Sequence, residues 1–284
     1  MNNEFQEPLK LIPISEVEFK LFADLLYHEV GIKLKSARKD LLSGRLQKTL
    51  KSLKFNNFTD YYNFVIEDKS GIHLSNLVNN LTTNHTFFYR ESGHFDYMLK
   101  RVLPELEELI KQEGQNDLRI WCSACSTGEE AYTLVMILME HFGKSYYLWK
   151  SGILATDISE KALEIAEKGI YSSEQIKNLP EEYKNKYFIK LDNDKYKVLE
   201  KIKKEVTIRR FNLNNSNYPF KKPFHIIFCR NVMIYFDLPK RRELVRKLSS
   251  NLIKDGYLFI SHSETLSNVS SNFRSVHPAV YQKI

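Results

Sequence analysis

The chain has 284 residues, of which 43% are hydrophobic and 27% are charged. This composition is typical of a globular protein with room for one large and one small domain, and no apolar run reaches the roughly 18 residues that a membrane span needs. We therefore expect no membrane insertion. The formal net charge is +7, and a charge of this sign favours an acidic partner.

The first residues and the cysteines indicate the compartment. Residues 1–7 are acidic and lack the apolar stretch of a secretory signal, so we expect a cytoplasmic protein. Without an export signal, an odd number of cysteines predicts reduced thiols rather than a disulfide framework. The cysteines are Cys122, Cys125 and Cys229.

Residues 1–80 are predicted to form a small helical domain. Apolar residues recur there at spacings of three and four, as at Phe19, Phe22, Leu26, Leu42, Leu46 and Leu50. The segment from Lys33 to Lys54 has eight basic residues and one acid, Asp40, so it carries the whole net charge. We expect this basic segment, 33–54, to meet the acidic partner, although a merely solvated charged face is the alternative.

Residues 81–284 are predicted to form an α/β domain, because short apolar runs alternate with helical patterns from about Asp117 onward. The predicted strands are Leu118–Cys122, Ile153–Thr156, Val206–Phe211, His225–Cys229 and Tyr257–Ser261. The predicted helices are Glu129–Phe142, Glu160–Lys168 and Pro239–Leu252. This alternation favours a doubly wound parallel sheet, interrupted by an inserted subdomain at about 170–205, where the sequence is lysine-rich and irregular.

Two strand ends indicate the ligand. Small residues at 123–128 link the first strand to a helix that starts with Glu129 and Glu130, and such loops let a ligand approach the backbone closely. The loop lacks GxGxxG, and acids at a helix start repel a pyrophosphate. Asp157 ends the second strand, where an acid often accepts hydrogen bonds from ribose hydroxyls. Together these features favour adenosine without phosphates, as in S-adenosylmethionine; helix capping is the alternative for each acid.

Other chemistries lack their motifs. Cys122 and Cys125 have redox-motif spacing, but no second cysteine pair or adjacent histidine completes a zinc site. The histidines do not form HExxH, and GxSxG and P-loop motifs are absent. We therefore predict no metal, and interpret the two cysteines as packing residues.

Several segments resemble, in family order, the motifs of the chemotaxis receptor methyltransferase (CheR) family. They are LTTNHTFFYRE at 81–91, CSTGEEAY at 125–132, ATDI at 155–158, AEKGIY at 166–171, FCRNVMIYF at 228–236 and GYLFISHSE at 256–264. The chain departs from the family at Ala131, where proline is usual. The resemblance implies a Rossmann-like methyltransferase domain after a small helical domain, with an inserted β-containing subdomain.

The resemblance also implies the reaction. A CheR enzyme transfers a methyl group from S-adenosylmethionine to glutamate carboxylates on chemoreceptor helices, leaving S-adenosylhomocysteine. By resemblance, the cofactor-binding residues are Asn84, Thr86, Arg90, Glu130, Asp157, Asn212, Leu213, Cys229 and Arg230. Glu130 is expected at the methionyl amine and Asp157 at the ribose; the sequence does not decide between Glu129 and Glu130, and we favour the second.

Physical chemistry explains the missing catalytic dyad. A glutamate with a pKa of about 4.3 is already ionised at neutral pH, so methyl transfer to it needs alignment rather than a strong base. Arg90 and Tyr235 are the predicted catalytic residues, because a guanidinium can orient a carboxylate and a phenol can hydrogen-bond near the methyl group. A core aromatic beside Phe236 is the alternative for Tyr235.

Two other functions fit the sequence less well. A methyltransferase for nucleic acid or small molecules suits the pI of 9.0, but the N/D-P-P-Y/F site for base amino groups is absent and the basic charge is confined to one segment, so no nucleic-acid partner is expected. A non-catalytic S-adenosylmethionine-binding adaptor is disfavoured by Arg90, Asp157 and Tyr235 being intact.

The inserted subdomain carries one further prediction. Some family members hold the receptor's C-terminal tail there, on a hairpin whose loop contains glycine. This chain has no glycine between Gly169 and Gly256, and only Asn193 is expected to supply a left-handed residue to a hairpin. We therefore predict methylation without a tail-peptide tether.

Overall fold

The structure is a computed structural model that describes residues 11–82 and 85–284. The chain divides into two compact units, the first ending at residue 83 and the second beginning at 84. Within the described ranges, every helix is too short or too polar to cross a lipid bilayer.

The described part of the first unit is helical, as predicted. Its α-helices are α1 Glu16–Val30, α2 Lys39–Ser52, α3 Phe58–Glu67 and α4 Ile72–Leu81, with a 3-10 turn at Ser36–Arg38. Helix α1 begins at a capping box, in which the Glu18 N–H donates to the Ser15 hydroxyl and the Ser15 N–H donates to the Glu18 carboxylate. It ends at Gly31, whose φ of 77° is left-handed. Phe22 is fully buried and packs against Phe58.

The second unit combines helices with two sheets. Its strands are β1 Asp117–Cys122, β2 Lys150–Asp157, β3 Ile170–Ser172, β4 Phe188–Lys190, β5 Lys195–Val198, β6 Val206–Arg210, β7 Phe224–Phe228, β8 Leu252–Phe259, β9 Phe273–His277 and β10 Val280–Lys283. Its α-helices are α5 Ser92–Tyr97, α6 Leu103–Gln112, α7 Glu129–Phe142, α8 Glu160–Lys168, α9 Ser173–Ile176, α10 Glu181–Tyr187, α11 Glu200–Lys203 and α12 Leu238–Ser250. A π-helical segment, Met98–Val102, joins α5 to α6, and 3-10 turns occupy Gly143–Leu148 and Met233–Tyr235.

The main sheet has seven strands in the order β6-β2-β1-β7-β8-β10-β9. The pairs β6–β2, β2–β1, β1–β7 and β7–β8 are parallel, which confirms the predicted doubly wound sheet. The strand order reverses between β1 and β7, where Cys122 pairs with Phe228. Ligands of such sheets bind beyond the carboxyl ends of the strands at this reversal.

The last two strands were not predicted. Strand β10 is antiparallel to β8 and β9, and its pairing with β9 contains an irregularity at Val280 and Tyr281. The preceding Ala279 has a left-handed φ of 58° without being glycine. A hairpin without a glycine turn and with a shifted register gives little alternation for sequence analysis to detect.

The predicted insertion is confirmed as a small β-containing subdomain. Its antiparallel sheet has the order β3-β5-β4, and α9, α10 and α11 lie in the same stretch of chain. The β4–β5 hairpin forms without glycine because Asn193 and Asp194 both adopt left-handed conformations, with φ of 58° and 56°. The sequence indicated only Asn193.

Candidate functional site

The loop 123–128 lies at the carboxyl edge of the main sheet, between β1 and α7. The Ser123 N–H donates to the Phe228 carbonyl (2.8 Å) and the Cys125 N–H to the Thr156 carbonyl (2.9 Å), so the loop is fixed to both neighbouring strands. Gly128 ends the loop with a φ of 96°, and a Cβ there would lie 2.8 Å from the Ala166 Cβ. Only glycine satisfies both constraints.

Asp157 faces this loop from the end of β2, as predicted. Its carboxylate accepts the Ser126 N–H and the Ser159 N–H, both at 2.8 Å. Burial raises the pKa of Asp157, whereas these backbone hydrogen bonds act in the opposite direction and lower it. The Ser126 hydroxyl is buried and has no hydrogen-bond partner among the described residues. An acceptor and an unused hydroxyl therefore sit where the sequence predicts the ribose.

Arg230 joins three parts of the site. Its guanidinium donates to Glu130 (Nη1 to Oε2, 2.7 Å) and to the carbonyl of Arg90 (Nη2, 2.6 Å), and Nη2 lies 3.1 Å from Glu91 Oε2. Arg230 is only 5% exposed. Arg230 thus links the segment that carries Arg90 to helix α7, which follows the loop 123–128. The carboxylates of Glu91 and Glu130 compensate the charge of Arg230.

Glu129 and Glu130 have different surroundings. Glu129 is fully buried, and its carboxylate accepts the Thr127 hydroxyl (2.6 Å) and the Gln175 side-chain amide (2.7 Å). Glu130 keeps 14% of its side chain exposed beside Arg230. Solvent access at Glu130 agrees with the favoured choice, and its contact with the cofactor amine stays a prediction.

Arg90 sits in a backbone with two left-handed neighbours. Tyr89 and Glu91 have φ of 62° and 58°, a conformation that non-glycine residues hold only when their surroundings impose it. Within the described ranges, the half-buried Arg90 guanidinium donates to the His85 carbonyl, at 2.7 Å. Thr86 is half-buried in the same segment. Asn84 lies outside the described residues.

The segment after β6 also reaches this edge. The Phe211 N–H donates to the Asp157 carbonyl (2.9 Å), which keeps the predicted cofactor-binding residues Asn212 and Leu213 beside the end of β2. Asn212 closes a local turn by accepting the Asn214 N–H at 2.9 Å. Leu213 is 8% exposed.

The segment after β7 holds the remaining predicted residues. Cys229 is fully buried, its N–H donates to the Phe259 carbonyl (2.8 Å), and burial raises the pKa of its thiol far above the ordinary range. Tyr235 is half-buried in the 3-10 turn. Glu264, which sequence analysis missed, accepts the N–H groups of Ser261 (2.8 Å) and Asn231 (3.3 Å) and so braces this segment. Its place in the GYLFISHSE motif was the available signal.

Three further side chains approach one another beside Arg230. In the described part of the chain, Glu91, His94 and His262 bring possible ligand atoms within 4.8 Å of one another. Glu91 already faces the Arg230 guanidinium and accepts the Ser261 hydroxyl at 3.3 Å. A cation bound to this carboxylate would have to compete with Arg230, so we interpret Glu91 as an internal anchor. Sequence analysis did not identify it.

The geometry defines a class: a nucleoside-binding α/β protein whose site is rich in carboxylates and whose loop 123–128 has no GxGxxG. Such a site fits the adenosine and the positive charges of S-adenosylmethionine.

Comparisons with known proteins give the family. Residues 84–281 match the family "CheR methyltransferase, SAM binding domain", and residues 17–82 match "CheR methyltransferase, all-alpha domain". The chain is 43% identical over 272 residues to the chemotaxis protein methyltransferase of Borreliella burgdorferi, covering 96% of each chain. It is 33% identical over 274 residues to that of Escherichia coli, covering 95% of this chain and 92% of the relative. The chain belongs to the CheR methyltransferase family and binds S-adenosylmethionine.

Proposed function

We propose that this protein transfers the methyl group of S-adenosylmethionine to glutamate carboxylates of methyl-accepting chemotaxis receptors, giving glutamate methyl esters for sensory adaptation. The observation that carries the proposal is the pairing of charges at the site. Arg230 is compensated by Glu91 and Glu130, whereas the Arg90 guanidinium donates to a carbonyl and has no carboxylate partner among the described residues. Arg90 is therefore the cation that remains for a substrate carboxylate. The similarity to chemotaxis protein methyltransferases over nearly the whole chain supports the same conclusion.

The reaction follows from the ionisation of the substrate. S-adenosylmethionine supplies the methyl group on a sulfonium centre. A glutamate with a pKa of about 4.3 needs no base at neutral pH. The planar fork of Arg90 orients the carboxylate, and Tyr235 contributes its hydroxyl beside the reacting groups. If Arg90 bound the carboxylate more tightly in the ground state than in the transition state, the reaction would be slower. Arg90 therefore acts by positioning the carboxylate.

We further propose how the cofactor is held. Asp157 accepts the ribose hydroxyls, and Glu130 meets the methionyl amine. The pairs Asn212-Leu213 and Cys229-Arg230 contact the adenine and its surroundings. Asn84, Thr86 and Arg90 make further contacts with the cofactor. The product is S-adenosylhomocysteine.

The basic segment 33–54 is proposed to dock the acidic receptor helices, on the cytoplasmic side of the membrane. Six of its basic residues are exposed: Lys33, Lys35, Arg38, Lys48, Lys51 and Lys54. Arg45 also lies in the basic segment that the sequence assigns to docking, but it does not belong to the proposed docking face. It is half-buried, and its Nη1 donates to the Leu81 carbonyl at 2.5 Å, at the C-terminal end of α4. Arg45 therefore has a hydrogen-bond partner within its own unit.

One assay tests the proposal. The protein is incubated with methyl-labelled S-adenosylmethionine and a chemoreceptor cytoplasmic fragment, and alkali then releases volatile methanol from carboxyl esters. We expect base-labile label on the receptor. Base-stable label, or label on added nucleic acid, would contradict the proposed reaction.

Two variants separate binding from turnover. Arg90→Ala is expected to abolish turnover while S-adenosylmethionine binding stays measurable, because Arg90 is assigned to the acceptor. Asp157→Ala is expected to weaken cofactor binding first. An unchanged cofactor affinity in Asp157→Ala by calorimetry would refute the ribose assignment.

A further inference from the structure

The inserted subdomain contacts the loop 123–128 directly through hydrogen bonds. The Tyr171 hydroxyl, on β3, donates to the Thr127 carbonyl at 2.6 Å. The Gln175 side chain, on α9, donates to Glu129 Oε1 at 2.7 Å. The Gln175 carbonyl accepts the Phe88 N–H at 3.0 Å. One short stretch of the insertion therefore contacts both the loop 123–128 with its helix and the segment that carries Arg90.

The burial of Glu129 makes its contact with Gln175 important. Glu129 is the first residue of α7 and is fully buried, and a buried carboxylate is stable as an anion only when hydrogen-bond donors compensate it. Among the described residues its side-chain donors are the Thr127 hydroxyl and the Gln175 amide. The amide is the one that comes from outside the loop and the helix.

The other end of the Gln175 side chain is also fixed. Its Oε1 accepts the Ser172 N–H at 3.1 Å, in the capping box that starts α9. With its oxygen engaged there, the amide nitrogen must point away from Ser172 and towards Glu129. The orientation of the donor is set by the fold of the insertion.

We propose that Gln175 is a positioning residue of the cofactor site, which acts through Glu129 to fix the loop 123–128 and the first turn of α7. The proposal rests on cofactor binding and not on the identity of the methyl acceptor. Its readout is therefore the dissociation constant for S-adenosylmethionine, which is measured without any receptor.

The test compares three single variants by calorimetry at about pH 7.5 and about pH 5.5. Gln175→Glu keeps an acceptor for Ser172 but replaces the donor with a second carboxylate, so we expect the Kd to rise at least about tenfold at the higher pH. At the lower pH the two facing carboxylates share a proton, so the ratio of the Kd of the variant to the Kd of the wild type should fall to about threefold. Gln175→Met should weaken binding by a ratio that does not change with pH.

Ser172→Ala is the matched control. It removes the hydroxyl that caps α9 and donates to Gln175 Oε1 at 3.2 Å, but it keeps the Ser172 N–H that donates to the same oxygen at 3.1 Å. It should lower the thermal midpoint and change the Kd by less than about twofold. If Ser172→Ala weakens binding as much as Gln175→Glu, or if the Gln175→Glu ratio is the same at both pH values, Gln175 has only a structural role and the proposal fails.

An exchange of the two side chains tests the contact itself. In Glu129→Gln/Gln175→Glu the amide lies on α7 and the carboxylate on α9, so the hydrogen bond is restored with the reverse polarity. We expect the Kd to return to within about threefold of wild type, although each single variant binds more weakly. A double variant that binds no better than the weaker single variant would overturn the proposal, even if a single variant folds poorly.

Discussion

Replacing Arg230 with methionine should destabilise the C-terminal unit strongly. The substitution keeps an apolar side chain of similar length but leaves Glu91 and Glu130, 17% and 14% exposed, without their shared cation. Removing one partner of a buried ion pair costs about 3–5 kcal/mol, and the Arg90 carbonyl also loses a donor at 2.6 Å, worth about 1 kcal/mol. The two contributions together give about 4–6 kcal/mol. Because both carboxylates keep some contact with water, we expect the lower end, a loss of about 4 kcal/mol in the free energy of unfolding.

For a unit of about 200 residues, this loss corresponds to a fall of about 8–16 °C in the thermal midpoint. The assay is calorimetry of the full chain, in which the transition that S-adenosylmethionine shifts in the wild type identifies the C-terminal unit. Arg242→Met is the control, since Arg242 is exposed and donates to the Asn268 carbonyl at 3.1 Å; it should change stability by less than about 0.5 kcal/mol.

A second substitution identifies the cause. Glu91→Gln combined with Arg230→Met should be less destabilised than the sum of the single variants, because the first substitution removes a charge that the second leaves uncompensated. If Arg230→Met unfolds at the same temperature as Arg242→Met, the buried ion network does not hold the site together and the reasoning is refuted.

Three further predictions concern pH, docking and the tail. Burial lowers the pKa of His225 to about 4 from 6.5, so the folded state favours the neutral imidazole. The contribution of His225 to the free energy of unfolding is therefore complete above about pH 6.5 and falls by about 3 kcal/mol as the pH approaches 4. His225→Asn keeps an acceptor for the Arg119 N–H, at 2.9 Å, and should flatten the loss of stability in urea unfolding between pH 7 and pH 4; parallel profiles would contradict this. Lys48→Glu/Lys51→Glu should raise the KM for receptor and flatten its salt dependence with an unchanged thermal midpoint of the helical unit, and an unchanged KM would remove the docking proposal. A receptor tail peptide with the aromatic-acidic recognition motif should bind the purified protein weakly or not at all in a titration, and low-micromolar binding would refute the absence of a tether.

The parallel part of the main sheet and its loops were predictable because their signals are local. Buried parallel strands read as short apolar runs, and residues just after such runs, such as Asp157, must lie at the carboxyl edge whatever else the chain does. Glycine and its absence are local signals too. The β4–β5 hairpin shows the limit of that signal, since Asp194 joins Asn193 in the left-handed region without the sequence requiring it.

What the sequence did not predict depends on partners distant along the chain. Arg45 has the periodicity of an exposed residue, but its acceptor at Leu81 lies 36 positions away. Gln175 lies in a stretch without regular periodicity, yet it reaches Glu129, 46 positions away. Charge and spacing identify which residues are polar and which face they occupy, but the choice between solvent and a buried partner is made by tertiary packing.

The most direct test of the proposed reaction is peptide mapping by tandem mass spectrometry. A chemoreceptor cytoplasmic fragment is incubated with S-adenosylmethionine and either the wild-type protein or Arg90→Ala. We predict methyl esters on glutamate side chains with the wild type, their loss after alkali, and no modification with the variant. Methyl groups on lysine or on chain termini, or undiminished glutamate methylation by Arg90→Ala, would contradict the account.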